Sequence, residues 1–163
     1  MKICILGTGN YQNVQAGNTV SITGDGGNAW GYFGPAYKKL APKLETYLPY
    51  AKGLEELKEI KTLEEYLFKK KLIEEEYIRS YYEIRLKNLD VWKLLEHLEE
   101  KFGEDIILLC HEPVEEFCHR RLVADYIELQ TGFYIPEVRV EEGGAIEELS
   151  PICYKKCLQK LMK

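Results

Sequence analysis

The sequence has little that would place it in a membrane or mark it for export. Apolar residues make up 45% of the 163 positions, yet no long uncharged apolar run occurs. A helix that spans a bilayer needs about 20 consecutive apolar residues. The apolar run from Ile3 to Leu6 is also too short for the core of a signal peptide. We therefore expect no membrane span and a cytoplasmic protein.

A surplus of basic side chains is also missing. Lys and Arg number 22 against 27 Asp and Glu, which gives a formal net charge of -5. Broad binding to duplex nucleic acid requires many positive side chains that neutralise phosphates. We therefore expect no such binding, whereas a local pocket for a small anionic ligand stays compatible with the composition. The oligomeric state is left open.

The cysteines follow neither a disulfide pattern nor a zinc-finger pattern. They are Cys4, Cys110, Cys118, Cys153 and Cys157. An odd number without an export signal argues against a disulfide framework, so we expect free thiols. Cys110 and His111 are neighbours at a strand end and should point to opposite faces, which makes joint ligation of a metal difficult. We expect no metal and no cofactor.

Strands and helices alternate along the chain, which is typical of an α/β fold. Predicted strands cover KICILG, Thr19 to Thr23, Ile106 to Leu109 and Val138 to Val140. A Glu/Lys/Tyr-rich helical segment is expected at about 54–88, and a last helix from Pro151 to Met162. This order predicts one α/β domain over residues 1–163, with a small, largely parallel sheet flanked by helices.

Local signals place several element ends. Thr62 with Glu65 forms a possible capping box, Asp90 can cap the next helix, and Gly53, Gly103 and Gly132 are expected as helix stops. The run Gly7-Thr8-Gly9-Asn10 could begin a phosphate-binding loop. The third glycine of that motif would fall at Gln12, so a plain turn is favoured.

The segment from Cys110 to Arg120 is the densest in reactive side chains. It follows the apolar strand Ile106 to Leu109, and ligands of α/β proteins bind at the carboxyl ends of strands. The next helix could begin at Pro113, or near Glu115-Glu116. The later start would favour a thiolate at Cys118, a titratable imidazole at His119 and an anion contact at Arg120.

A structural interpretation of the same residues stays open. Cys118 shares an apolar spacing with the residues Val114, Leu122, Tyr126 and Leu129, and a thiol on that face would be a small core side chain. Arg120 or Arg121 could pair with Glu112, Glu115 or Glu116 on the surface. The aromatic side chains of Trp30, Tyr32, Phe33 and Tyr37 could stack on a base, although such residues are mostly core.

The stretch LLCHEPVEEFCHRRLVADYIE resembles the uncharacterised bacterial family known as domain of unknown function 488, through Leu-Leu-Cys-x-Glu followed by Phe-Cys-His-Arg. GPAYKKLAP and EEEYIRSYYEIRL are similar to further segments of that family, and Val20-Ser21-Ile22 takes the place of its early strand. The chain departs from the family at TGDGGNAWGY, where an Arg-containing, Pro-rich segment is expected. It also has extra helical residues between Gly53 and Leu72. The family carries no firmly assigned activity.

The resemblance implies a set of site residues. The candidate catalytic residues are Cys118, His119, Arg120 and Glu112, and the candidate ligand-binding residues are Cys110, Ser21, Tyr37, Tyr77 and Tyr81. Two functions follow as hypotheses: an enzyme that acts on a small anionic substrate, such as a nucleotide or another phosphate-bearing molecule, and a non-catalytic module that binds an anion, a nucleotide or nucleic acid. We also predict that Cys110 and Cys118 lie within contact reach or face a common pocket, because Cys110 closes the central strand and Cys118 opens the helix that folds back over it.

Overall fold

The computed structural model describes residues 2–163. Residue contacts divide this part of the chain into two compact units. The sheet unit comprises the residues up to Ala41 together with Leu89–Lys155, and the helical unit comprises Pro42–Asn88 with Lys156–Lys163. The single domain that the sequence predicts stays a prediction.

Five strands and five α-helices form these units. The strands are β1 (Ile5–Asn10), β2 (Asn18–Ser21), β3 (Ile106–Cys110), β4 (Glu137–Val140) and β5 (Ile146–Leu149). The helices are α1 (Leu44–Leu57), α2 (Leu63–Tyr81), α3 (Val91–Phe102), α4 (His119–Thr131) and α5 (Lys155–Leu161). None of the described helices is both long and apolar enough to cross a bilayer.

The sheet has the strand order β2-β3-β1-β4-β5. β1, β2, β3 and β4 run parallel to one another, and the edge strand β5 is antiparallel to β4. The α/β class with a largely parallel sheet is therefore confirmed. The sequence did not predict β5, because three of its four residues are exposed and it lacks the alternating apolar pattern of a half-buried strand.

The central strand β3 follows from its composition. All five of its residues are buried, as expected of a continuous apolar run covered on both faces. Ile107 and Leu109 belong to a cluster with Val138 on one face of the sheet. Because side chains alternate along a strand, Cys110 faces the opposite side.

Helix α3 has the ends that the sequence predicts. The carboxylate of Asp90 accepts a hydrogen bond from the backbone N–H of Lys93 at 3.1 Å, and Gly103 terminates the helix. Its buried residues are Val91, Leu94, Leu95 and Leu98. An N-cap, an apolar stripe and a C-terminal glycine are local signals, which explains why the prediction succeeds.

Helix α4 ends as predicted at Gly132 but begins later than expected. The residues from Pro113 to Glu116 form a turn, in which the N–H of Glu116 donates to the carbonyl of Pro113 at 3.1 Å. Cys118 is extended, with φ -153° and ψ 138°, and is the N-cap. The predicted starts at Pro113 and at Glu115-Glu116 are wrong, and Val114 does not share the helical face of Leu122.

The glycine-rich stretch near the amino terminus is neither a phosphate-binding loop nor a plain turn. Gly7 and Gly9 lie within β1. A Cβ at Gly7 would meet the carbonyl oxygen of Pro136 at 2.7 Å, and a Cβ at Gly9 would meet a methyl group of Val14 at 2.5 Å. These glycines allow the neighbouring backbone and side chains to approach β1 closely.

The helical unit is built around α1 and α2. Thr62 caps α2 as predicted, by accepting from the N–H of Glu65 at 3.3 Å. Gly53 was expected to end a helix, but it lies inside α1, where a Cβ would meet Ile73 at 2.8 Å. A π-helical turn, Tyr82–Leu86, follows α2. The last helix, α5, is shorter than the predicted segment from Pro151 to Met162.

Candidate functional site

The candidate site lies where β3 meets the start of α4. β3 ends at Cys110, and α4 begins at His119 with Cys118 as its N-cap. Residues 111–117 form the connecting loop. The loop is held by a hydrogen bond of 3.3 Å from the Asn10 amide to the Glu112 carbonyl. The ring of Phe117 packs edge-on against Tyr154, with centroids 5.5 Å apart.

The two cysteines at this junction share one neighbour. Nη1 of Arg120 lies 3.0 Å from Sγ of Cys118 and 3.6 Å from Sγ of Cys110. The ligand atoms of Cys110, Cys118 and His119 all lie within 4.8 Å of one another. The prediction that Cys110 and Cys118 lie within contact reach of each other is confirmed.

Glu112 is a hydrogen-bond acceptor within the cluster. The Cys118 thiol donates to Oε2 of Glu112 at 3.0 Å. Burial acts to raise the pKa of Glu112, but His119, His111 and the Cys118 thiol outweigh it, so the pKa lies below its ordinary value. Glu112 is therefore ionised at neutral pH. Its side chain is 23% exposed, so the cluster meets solvent on this side.

Arg120 is held by a carboxylate that the sequence analysis did not identify. Its Nε lies 3.1 Å from both oxygens of Glu137, and its Nη2 lies 2.7 Å from Oε2. Thr8 donates to the same carboxylate at 2.6 Å. Burial acts to lower the pKa of Arg120, but the neighbouring Cys118, Cys110 and Glu137 outweigh burial. The pKa of Arg120 therefore lies above its ordinary value. The guanidinium thus faces internal groups, and its predicted contact with an anionic ligand stays a prediction.

The Cys118 thiol has the opposite pKa shift from the one expected. Burial, the neighbouring Cys110 and the charge of Glu112 raise the pKa of Cys118 well above its ordinary value. Only Arg120 opposes them. This direction disfavours the thiolate that a helix start near Glu115-Glu116 would favour and fits the alternative of a buried core thiol, because desolvation outweighs the guanidinium. The resting group is a neutral thiol hydrogen-bonded to Glu112.

His119 is buried and anchored to the residue that follows β2. Its Nε2 lies 2.8 Å from the carbonyl oxygen of Ile22, so this nitrogen carries the proton and the lone pair is on Nδ1. Burial lowers the pKa of His119, although Glu112 acts against the shift. The imidazole is consequently neutral, which differs from a freely titrating surface histidine.

Cys110, Cys118 and His119 could together hold a soft metal ion. Tetrahedral zinc, with Zn–S bonds of about 2.3 Å, brings two sulfur ligands to within about 3.8 Å of each other. A separation below 4.8 Å is close to that requirement. The sequence offers Cys110-His111 and Cys118-His119 as four possible ligands, in a spacing that is not that of a zinc finger. It does not show that Cys110, Cys118 and His119 meet, because their ligand atoms come together only when α4 folds back on β3.

Two predicted ligand-binding residues of the sheet unit have partners of their own. The hydroxyl of Ser21 lies 2.7 Å from that of Tyr11 and 3.1 Å from that of Thr23. Tyr37 packs its ring against His97 at 5.8 Å and donates its N–H to the Ser21 carbonyl at 2.7 Å. Ser21 adjoins Ile22, the partner of His119, whereas the ring of Tyr37 lies against α3.

The remaining two predicted residues, Tyr77 and Tyr81, lie in α2 of the helical unit. Their rings stack with centroids 6.2 Å apart. Tyr50 of α1 packs against Tyr77 at 5.2 Å. These contacts are those of aromatic side chains packed against one another, and the assignment of Tyr77 and Tyr81 to ligand binding stays a prediction.

Glu137, Thr8 and Tyr154 belong to the surroundings of the site, although the sequence analysis did not single them out. The Tyr154 hydroxyl accepts from the N–H of Cys118 at 3.4 Å. A buried arginine requires an acidic partner, and this rule could have prompted a search for one. With 27 acidic residues in the chain, the rule alone does not select Glu137.

One family model matches this chain, and it covers much of the site. The model is described as domain of unknown function DUF488, and it matches residues 54–127. No curated protein and no solved structure shows a significant match to the chain. The matched range includes Cys110, Glu112, Cys118, His119 and Arg120. Residues 54–127 are thus similar to the DUF488 family model, which confirms the resemblance that the Phe-Cys-His-Arg motif indicates.

Proposed function

We propose that the chain is an enzyme that acts on a small anionic substrate with Cys118 as its nucleophile. One observation carries the proposal: Sγ of Cys118 lies 3.0 Å from Oε2 of Glu112 and 3.0 Å from Nη1 of Arg120. A thiol with a proton acceptor on one side and a cation on the other has both groups that nucleophilic catalysis requires.

The proposed reaction begins with proton transfer from Cys118 to Glu112. The sulfur then forms a bond to the electrophilic atom of the substrate, and the leaving group departs with the electron pair of the broken bond. The proton on Glu112 is then available to the leaving group. Arg120, anchored by Glu137, stabilises the negative charge that develops on the sulfur.

The anionic group of the substrate is assigned to the first turn of α4. N–H groups in the first turn of a helix lack intrahelical partners, and the dipole there favours negative charge. Arg120 contributes indirectly, since Glu137 already occupies its fork. His119 acts as a positioning residue, because its bond to Ile22 fixes the start of α4 beside β2.

Access to Cys118 is expected along Glu112. The Cys118 residue is 1% exposed, so the solvent-facing approach must pass its partly exposed neighbour. His111, with Nε2 3.2 Å from Oε1 of Glu112, flanks the same approach. A substrate that enters here would reach the carboxylate before the thiol.

The second candidate function is a module that binds an anion or nucleotide without turnover. The burial of Cys118 and its raised pKa favour this candidate, because a neutral, enclosed thiol is a poor nucleophile. The same helix end would then recognise the ligand, and the cysteines would serve as packing. Reactivity of Cys118 separates the two candidates.

The test is the rate of iodoacetamide labelling at Cys118 in the native protein, resolved by peptide mass spectrometry after dialysis against a chelator. If Glu112 accepts the thiol proton, Glu112→Gln slows labelling by about 10²-fold, as expected for loss of a general base. The matched control is Glu115→Gln, which removes an exposed carboxylate from the same loop. It should leave the rate unchanged.

Two outcomes would contradict the enzyme proposal. Equal rates in the wild type and in Glu112→Gln would remove Glu112 as the proton acceptor. Labelling of Cys118 that occurs only after unfolding would remove the nucleophile itself and leave the binding module. The exposed thiol of Cys153 reports in every sample whether the reagent is active.

A further inference from the structure

A cavity of about 310 Å³ lies in the sheet unit, on the face of the sheet that carries Ile107 and Leu109. Its walls include three aromatic side chains, those of Tyr11, Trp30 and Tyr32. The rings of Tyr11 and Tyr32 stack with centroids 5.2 Å apart. Gln15 and Thr19 add polar groups to the lining. The volume is near the lower limit of ligand pockets, about 300 Å³, which suits a single ring system.

Trp30 connects this cavity to the imidazole of His111. The two rings are nearly parallel, with an interplanar angle of 6° and centroids 4.5 Å apart. Trp30 is 56% exposed, so a large part of its indole is available to a ligand. An indole that is fixed against one ring and open on the cavity side can stack a second ring.

The same contacts lead from the cavity to the nucleophile. His111, which stacks on Trp30, lies 3.2 Å from Oε1 of Glu112. The other oxygen of Glu112 lies 3.0 Å from Sγ of Cys118. The cavity and the two cysteines lie on opposite faces of the sheet, so a molecule with a ring in the cavity would have to cross the carboxyl edge of the sheet at His111 to approach Cys118.

We infer that this cavity binds the base of a nucleoside phosphate. The inference rests on the proposed function, because it names the substrate class of the same site. Aromatic walls favour a flat ring over a bare sugar. The Gln15 NH2 donates to the Gln12 carbonyl and the Thr19 hydroxyl is bonded to that of Tyr32, so the side-chain oxygen of Gln15 is the group that would accept from the edge of a base. The phosphate then lies at the first turn of α4, where negative charge is favoured.

The two tryptophans of the chain permit a direct test. Trp30 lines the cavity, whereas Trp92 lies in α3 and packs against Phe133 at 6.1 Å. Trp92→Phe leaves Trp30 as the only indole, and Trp30→Phe leaves Trp92. Each variant is titrated with AMP, CMP, GMP and UMP, and with ribose 5-phosphate as the ligand that lacks a base. Melting temperatures verify that both variants fold.

The inference predicts saturable quenching of Trp30 fluorescence by at least one nucleotide in Trp92→Phe. Trp92 in the Trp30→Phe variant should not respond. By calorimetry, Trp30→Leu should weaken nucleotide binding about tenfold, as expected for a stacking side chain, whereas Trp92→Leu should not. A Trp30 that responds to none of the four nucleotides, or equally to ribose 5-phosphate, would overturn the inference.

Labelling of Cys118 in the same proteins separates this inference from the proposed reaction. Base-dependent quenching together with an unreactive Cys118 would support the cavity assignment and contradict the enzyme. A Cys118 that reacts through Glu112 but shows no base-dependent quenching would support the enzyme and contradict the cavity assignment.

Discussion

Arg120 and Glu137 form a buried ion pair, with Nη2 and Oε2 2.7 Å apart and side-chain exposures of 1% and 0%. The pair joins the start of α4 to the start of β4. Because the remaining guanidinium nitrogen, Nη1, donates to both thiols, Glu137 also fixes the charge beside Cys118. The geometry of the site therefore depends on Glu137, which acts on the two sulfurs through Arg120.

Removing one partner of this pair should be costly. Glu137→Gln leaves the charge of Arg120 buried without a carboxylate at that position, and loss of one partner from a buried pair typically costs about 3–5 kcal/mol. We expect a decrease of that size in the free energy of unfolding, measured by urea denaturation.

The same two residue types form an exposed pair elsewhere, which supplies the control. Arg139 and Glu147 lie 3.2 Å apart with exposures of 50% and 63%. Glu147→Gln should lower the free energy of unfolding by less than about 1 kcal/mol. Equal effects of the two substitutions would show that the burial of Arg120 carries no energetic penalty.

The end of α4 depends on one glycine. Gly132 has φ +79°, and a Cβ at this position would have no atom within 4 Å. The cost of Gly132→Ala is therefore a backbone cost alone, about 1–2 kcal/mol for an L-residue in the left-handed conformation. Thermal unfolding should show this loss. A neutral substitution would mean that the helix can end in another conformation.

Gly143 is the matched control for that substitution. A Cβ at Gly143 would also meet no atom within 4 Å, and Gly143 does not have a positive φ. Gly143→Ala should change the free energy of unfolding by no more than about 0.5 kcal/mol. A loss as large as that of Gly132→Ala would point to an effect of alanine other than backbone strain.

The Cys4 thiol should make stability depend on alkaline pH. Burial, with a contribution from Glu99, raises the pKa of Cys4 from 9.0 to about 11. The thiol donates to the carbonyl of Leu95 at 3.4 Å. The stability that the protonated Cys4 thiol contributes to the fold is fully present below pH 9. It is lost as the pH rises through about 11, because the thiol of the unfolded chain releases its proton at a lower pH than that of the folded chain. The total is about 2–3 kcal/mol.

Urea unfolding at several pH values between 8 and about 11 measures this effect. Cys4→Ala should show a shallower decline of stability with pH than the wild type, whereas Cys153→Ala, which removes an exposed thiol, should keep the wild-type slope. Parallel curves for Cys4→Ala and the wild type would contradict the raised pKa.

The sequence predicts elements whose ends have local causes. Asp90 and Gly103 bound α3, Gly132 ends α4, and the apolar run of β3 is its own signal. The start of α4 has no such cause: Cys118 is a weak N-cap by type, and the residue before it, Phe117, packs on the distant Tyr154. Such tertiary contacts are not readable from spacing.

The sequence likewise predicts one aspect of the candidate site and not another. Its location follows from the strand-loop-helix order and from the family resemblance, so Cys110, Cys118 and Arg120 are found together. Its electrostatics do not follow, because the pKa of Cys118 depends on burial. Glu137 and Trp30 reach the site from distant parts of the sequence, and no local pattern connects them to it.

The most direct test of the account compares two alkylating reagents at Cys118. Iodoacetate and iodoacetamide share a leaving group, but only iodoacetate is an anion, so the ratio of their rates reports whether the site favours a negative electrophile. We predict that this ratio in the native protein is at least about threefold higher at Cys118 than at the exposed Cys153, because the dipole of α4 favours negative charge. A ratio at Cys118 no higher than that at Cys153, or no labelling of Cys118 in the folded protein, would contradict the proposed enzyme.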